Sequence, residues 1–104
     1  MNDPINPGSN FNGLTPAETE RLSLLAEECG EVIQAIGKIL RHGYASGSPL
    51  VCQTEAEPNR ADLEKECGHF LYALDRLMFA GDLKGCHDHM VRKSDNIKPY
   101  LHHQ

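Results

Sequence analysis

Thr15-Pro16-Ala17-Glu18 opens the most constrained stretch of this chain. Thr15 reads as an N-cap, Pro16 as the first helical residue and Glu18 as the N3 partner of a capping box. From there Leu22, Leu25, Ala26, Cys29, Ile33, Ile36 and Leu40 recur at helical spacing. The period predicts one long helix that runs to about Arg41 and stops at Gly43. Gly30 and Gly37 lie inside it, each at a cost of about 1 kcal/mol relative to Ala. Either they permit close packing or they make room for a ligand.

Residues 43–58 are rich in Gly, Ser and Pro, show no period and read as a loop. A second helix is expected from about Asn59, with Asp62 in the capping-box position, and it ends before Gly81. Its apolar stripe is Leu63, Cys67, Phe70, Leu71, Leu74, Leu77 and Met78. Asp82 is expected to cap a third, weaker helix with Leu83, Cys86, Met90, Val91 and Ile97, which Pro99 terminates. No alternating strand pattern occurs, so the class is all-α. The expected organisation is an irregular arm over 1–14, one helical domain over 15–98 and a tail over 99–104.

Size and charge narrow the function. A chain of 104 residues fits one domain and buries about two-thirds of its surface. That leaves little material for a deep private site. The net charge of −5 argues against a surface that coats nucleic acid. No apolar run is long enough to span a membrane. Met1 to Asn12 lacks the basic and apolar regions of a signal peptide. Residues 1–57 hold three basic and eight acidic side chains, whereas residues 58–104 hold seven of each and five of the six histidines. This asymmetry suggests a polar site built from both halves.

Cys29, Cys52, Cys67 and Cys86 form no C-x-x-C pair, and Cys29 and Cys67 fall on apolar helix faces. They read as small hydrophobes in a reducing cytoplasm. A zinc site drawn from Cys67, His69, Cys86, His87 and His89 matches no standard spacing.

The chemistry lies in two acidic boxes, Glu27-Glu28-Cys29-Gly30-Glu31 and Glu64-Lys65-Glu66-Cys67-Gly68-His69. At about 100° per residue, Glu28 and Glu31 lie about 90° and 150° from the centre of their apolar stripe. Glu66 and His69 lie about 90° and 150° from theirs, with the same sign. Same-handed flanks come to one side of the seam only when the helices pack antiparallel. A hairpin therefore brings Glu28, Glu31, Glu66 and His69 together. Such a group repels itself unless a cation sits among its members. Carboxylates at i, i+3 on facing helices are how bundles build metal sites, and Mg²⁺ or Mn²⁺ is the natural guest. Lys38 and Arg41 follow on the first helix, and Lys93 and Asn96 share a face of the third. Together they suggest a grip on phosphate.

These residues resemble a known family. Glu27-Glu28-x-x-Glu31 followed by Glu66-x-x-His69 is similar to the MazG-like all-α nucleoside triphosphate pyrophosphohydrolases, whose pattern is E-E-x-x-E, a loop, then E-x-x-D. The likeness runs from about Leu22 to Gln104. Leu24 to Gly43, Asn59 to Leu77 and Lys93-Ser94-Asp95-Asn96 resemble a compact, often phage-encoded branch. The resemblance implies Mg²⁺-dependent hydrolysis of a nucleoside triphosphate, often a deoxynucleotide, to monophosphate and pyrophosphate. It assigns Glu28, Glu31 and Glu66 as metal ligands, with His69 in the fourth position. Glu27 and Glu28 are the candidate catalytic carboxylates, and Lys38, Arg41, Lys93 and Asn96 the candidate substrate contacts. It also implies a homodimer or homotetramer with a four-helix-bundle-like core.

One position departs from the pattern: His69 stands where the family has Asp. Imidazole is a poor ligand for Mg²⁺ and a good one for Mn²⁺, Zn²⁺ or Co²⁺. Three outcomes follow: an enzyme with shifted metal preference, a weakened enzyme, or a helical protein that binds nucleotide or a partner without catalysis. Asp62, one turn before Glu66, is expected to compensate in part.

Overall fold

The computed structural model describes residues 11–45 and 57–103. Three helices follow in order, α1 (Pro16–His42), α2 (Pro58–Phe79) and α3 (Cys86–Ile97), and a 3₁₀ turn spans Lys98–Tyr100. No strand occurs among the described residues. Most of the expected arm (residues 1–10), the centre of the loop (46–56) with Cys52, and Gln104 lie outside the described residues.

The start of α1 is the one its sequence predicts. The Thr15 backbone N–H donates to Glu18 Oε1 at 2.8 Å, and the Glu18 N–H donates to Thr15 Oγ1 at 3.1 Å. A cap of this kind contributes about 1 kcal/mol. The helix closes at Gly43, whose φ of 85° suits glycine and few other residues.

α2 starts at Pro58, one residue before the expected Asn59, but without the expected cap. The N-cap is Glu57, which makes no side-chain cap, and Asn59 is buried inside the first turn. Its amide Nδ2 donates to the Gly43 carbonyl at 2.9 Å, and the N–H groups of Asn59 and Arg60 donate to the Tyr44 carbonyl at 3.1 Å. The Arg60 guanidinium lies 3.8 Å from the Tyr44 ring centroid. Asn59 thus ties the end of α1 to the start of α2, a use that competes with capping. Asp62 likewise caps nothing. It pairs with Lys38 across the hairpin at 3.7 Å and with Lys65 along α2 at 3.4 Å.

Asp82 is the second correction. It does not cap α3, which begins later, at Cys86, after Gly85. Its carboxylate instead accepts from Arg21 Nε at 2.6 Å and Nη2 at 3.1 Å, a bidentate clamp from the turn after α2 back to the first turns of α1. Gly81, at φ 82°, permits that turn. The two helices are therefore an antiparallel hairpin fastened at both ends by polar contacts.

Packing between the helices corrects a third expectation. The apolar stripes meet only along one edge: Leu77 of the α2 stripe is fully buried, and Cys29, Ile33 and Phe70 border one shared cleft. The apolar residues that are buried are Ala35, Ala73 and Leu77, from a line along the seam that also carries Glu28 and Glu66. Leu25, Cys29, Leu63, Cys67, Phe70 and Leu74 are half-buried, while the outer part of the predicted stripe is left exposed, with Ile33 at 68%, Leu40 at 81% and Leu71 at 61%. By helical angle these residues lie on the same-handed side of each helix, so the antiparallel arrangement places them on one outer face. α3 packs against neither α1 nor α2 and buries no residue.

Candidate metal centre

The centre of the hairpin seam is acidic. Glu28 and Glu31 come from the fourth and fifth turns of α1, Glu66 and His69 from the middle of α2. One ligand atom from each of the four lies within 4.8 Å of every other. His69 Nδ1 stands 3.3 Å from Glu66 Oε1 and 3.7 Å from Glu28 Oε2. Among the described residues this is the one group of His, Cys, Asp and Glu side chains with such a geometry. The antiparallel packing brings together the four residues that helical angle alone had placed on matching flanks.

Burial gives the cluster its chemistry. The Glu28 and Glu66 side chains are only 13% and 14% exposed. Glu28 Oε2 and Glu66 Oε1 are cut off from solvent and accept no hydrogen bond. His69 Nδ1 lies within ion-pair distance of both but donates to neither. Buried carboxylate oxygens without donors are costly. The neighbouring charges of Glu66 and Glu28, then desolvation, hold the Glu31 carboxyl above its ordinary value of 4.5, and a hydrogen bond with Glu66 and the charge of Glu27 add to the effect. The fold therefore concentrates negative charge where none of the described residues neutralises it fully.

Residues of this kind fit a divalent cation. Ligands about 2.0–2.2 Å from a metal span a shell about 4.0–4.4 Å across, so the 4.8 Å spread needs only small side-chain adjustment to close on one ion. Two orphaned oxygens, a third carboxylate with a raised pKa and an imidazole supply the donors.

The other expected site residues are distributed unevenly. Glu27 is exposed beside the cluster. Lys38, two turns beyond Glu31, is held by Asp62, so Asp62 serves Lys38 and Lys65 rather than the acidic group. The exposed Arg41 folds back toward Gly37: a Cβ there would meet its Nη1 at 3.4 Å. Lys93 and Asn96 are exposed on α3, and the Asn96 amide donates to the Arg92 carbonyl at 2.9 Å. Because α3 stands off the hairpin, packing within one chain does not bring those two to the acids. The same separation removes the zinc arrangement: Cys67, Cys86, His87 and His89 join no ligand cluster, and His69 faces Glu28 and Glu66. Cys29, Cys67 and Cys86 are free thiols.

The Arg21–Asp82 clamp and the role of Asn59 were not foreseen. A signal for them exists. Arg21, Glu28 and Ala35 recur every seven residues on α1, and Asn59, Glu66 and Ala73 do so on α2. A heptad ladder marks the line along which two helices meet. Here its polar members hide it from a search for apolar periods.

No family model, no curated protein and no solved structure matches this chain. No helix among the described residues is long and apolar enough to cross a membrane.

Proposed function

We propose that the protein hydrolyses a nucleoside or deoxynucleoside triphosphate to the monophosphate and pyrophosphate, with a divalent cation held by Glu28, Glu31, Glu66 and His69. The observation that carries this reading is the pair of buried, unpartnered oxygens of Glu28 and Glu66 inside a four-residue donor set. The resemblance of the E-E-x-x-E and E-x-x-H boxes to the MazG-like enzymes supplies the substrate class and names Mg²⁺, with Mn²⁺ as the alternative. A bound cation supplies charge neutralisation for the triphosphate and acidifies a water.

The chain's own residues do the rest. Glu28 and Glu66, fixed in the seam, hold the position from both helices. Glu31, more exposed to its neighbours' charge, completes it. Glu27 stands beside the ligands as a carboxylate free to take a proton. Lys38 lies along the same side of α1 and is held only loosely by Asp62, so a phosphate can compete for it. Arg41 follows at the end of the helix.

The reading includes a second copy. The cleft bordered by Leu14, Glu18, Leu22, Leu77, Asp82 and Leu83 holds about 190 Å³ and lies at the Arg21–Asp82 end of the hairpin, away from the acids. Sites for small molecules run to about 300–1,000 Å³. One chain exposes Ile33, Leu40 and Leu71 on its outer face, and its third helix. A homodimer, or a homotetramer, that covers this face with a second hairpin forms a four-helix-bundle-like core and offers Lys93 and Asn96 a neighbouring site. The reading goes with a cytoplasmic protein that acts on free nucleotides, not on nucleic acid polymers.

The test is pyrophosphate release from a panel of NTPs and dNTPs with Mg²⁺ and with Mn²⁺, for the wild type and for His69→Asp. Release from at least one nucleotide, lost in Glu66→Gln, supports the proposal. If neither protein hydrolyses any nucleotide with either metal, the enzyme reading is lost. What remains is the runner-up, a helical protein that binds nucleotide or a partner.

A further inference from the structure

The donor set is not all oxygen. Its fourth member is an imidazole nitrogen, Nδ1 of His69, turned toward the two buried carboxylates at 3.3 and 3.7 Å. We infer that His69 makes the site selective for a first-row transition cation over Mg²⁺, by direct ligation through Nδ1. The inference rests on the metal-centre part of the proposed function and concerns which ion that centre takes.

Three observations support it. First, Nδ1 lies close enough to the carboxylates to join one shell. The neighbouring donors of an octahedral ion sit about 3 Å apart when each is about 2.1 Å from the metal. The His69 Nδ1 to Glu66 Oε1 distance of 3.3 Å is close to that edge. Second, His69 and Glu66 are i, i+3 on one rigid helix, so the pair is presented together, without a loop to order. Third, the His69 side chain is 54% exposed. Nδ1 donates to neither carboxylate, so no hydrogen bond has to be given up for it to meet a metal.

The ions answer differently to such a set. Mg²⁺ dehydrates reluctantly and favours an all-oxygen shell, so replacing one carboxylate by imidazole weakens it twice, through lost charge and through a poorer donor. Mn²⁺ accepts imidazole, and later first-row ions bind mixed nitrogen–oxygen sites more tightly still. A fourth carboxylate at this position restores the all-oxygen set and removes the discrimination.

Mn²⁺ is the probe of choice, because it is paramagnetic and reports a directly bound nitrogen. The experiment measures Mn²⁺ and Mg²⁺ binding to the full chain by calorimetry without nucleotide. It then records the electron spin-echo modulation of the Mn²⁺-loaded protein. The expected results are a ¹⁴N coupling of directly ligated imidazole, and a ratio of Mn²⁺ to Mg²⁺ affinity that falls in His69→Asp by at least about tenfold, the lower end of what altering a ligand's surroundings already costs. The coupling must vanish in His69→Asp, which separates His69 from the other five histidines.

If Mn²⁺ binds and Glu28→Gln weakens it, but no nitrogen coupling appears or the coupling survives His69→Asp, the inference is overturned and the carboxylate site stands. If neither ion binds the wild type, the metal centre and the inference fall together. The spectrum of the wild type does not depend on any variant folding, and the half-exposed His69 is a mild place to substitute.

Discussion

The inner and outer faces of the same hairpin differ in a way that ordinary amphipathic logic does not predict. The seam between α1 and α2 holds Arg21, Glu28, Lys38, Asn59, Asp62 and Glu66 alongside a core of Ala35, Ala73 and Leu77. The outer face holds Ile33, Leu40 and Leu71 in water. A hairpin that served only its own stability would place those surfaces the other way round. The arrangement teaches that the seam is organised around charge and that part of the apolar surface is left exposed.

The largest test of the contrast is Leu77→Ala. Leu77 is fully buried and is the largest side chain in so small a core. Its truncation is expected to cost about 2–5 kcal/mol, read as a drop in the denaturant midpoint. Leu40→Ala removes the same atoms from the outer face. It is expected to cost under about 0.5 kcal/mol at a concentration where the chain is monomeric, because a surface truncation of that kind removes little. Equal losses from the two would break the distinction between the faces.

Next in size is the seam's own division between activity and stability. Glu66→Gln keeps the shape and removes one charge. Catalysis is expected to fall about 100-fold, as measured by pyrophosphate release. The metal-free fold is expected to gain stability, since Glu66 is the leading cause of the raised Glu31 pKa. A variant that loses activity and stability together would show that the seam glutamates act as structure.

The outer face is probed by Ile33→Glu, which puts a charge in the middle of the exposed stripe. If a second copy covers that stripe, the dimer is expected to weaken by about 2 kcal/mol or more, roughly thirtyfold in dissociation constant. Analytical ultracentrifugation reads it directly. An unchanged sedimentation profile removes the face from the interface.

A smaller effect follows from pH. Glu31 has a raised carboxyl pKa in the folded chain, so the folded state holds its proton more tightly than the unfolded state does. Metal-free stability therefore falls as pH rises from 4.5, the unfolded value, through the higher folded one, and stays lower above it. Asp82 works in the opposite direction. Arg21 lowers its pKa, so its contribution is present above 3.8 and is lost as pH falls through its lower folded value. Melting curves without metal should show the decline as pH rises from 4.5, and Glu31→Gln should flatten it. A saturating divalent cation should remove the decline in the wild type.

How much of this was readable beforehand depends on the kind of signal. Thr15, Pro16, Glu18 and Gly43 fixed the ends of α1, because caps act within one turn of their own residue. The gathering of Glu28, Glu31, Glu66 and His69 followed from handedness, which a sequence carries in its residue spacing. The rotation of the helices did not follow. The stripe of Ile33, Ile36 and Leu40 records a demand for burial but not which surface meets it. Asn59 and Asp82 were misread for a related reason. Each suits a helix cap, yet each found a partner sixteen or more residues away in sequence, and local propensity gives no weight to a contact of that range.

The finest test separates the back of α1 from both of its other faces. Gly30 lies within the acidic box, and the space where its Cβ would stand is open to 4 Å. By helical angle it points away from the seam and from the apolar stripe. A glycine in mid-helix with nothing pressing on it should only cost the helix. Gly30→Ala is therefore expected to stabilise the chain by about 1 kcal/mol, which for a domain of this size raises Tm by about 4–8 °C. Calorimetry checks it, and activity should not change. A loss of stability, or a loss of activity with stability intact, would mean that a second copy or a bound nucleotide approaches the helix at Gly30. The room left beside the acids would then belong to a ligand, and α1 would have three working faces where the hairpin alone displays two.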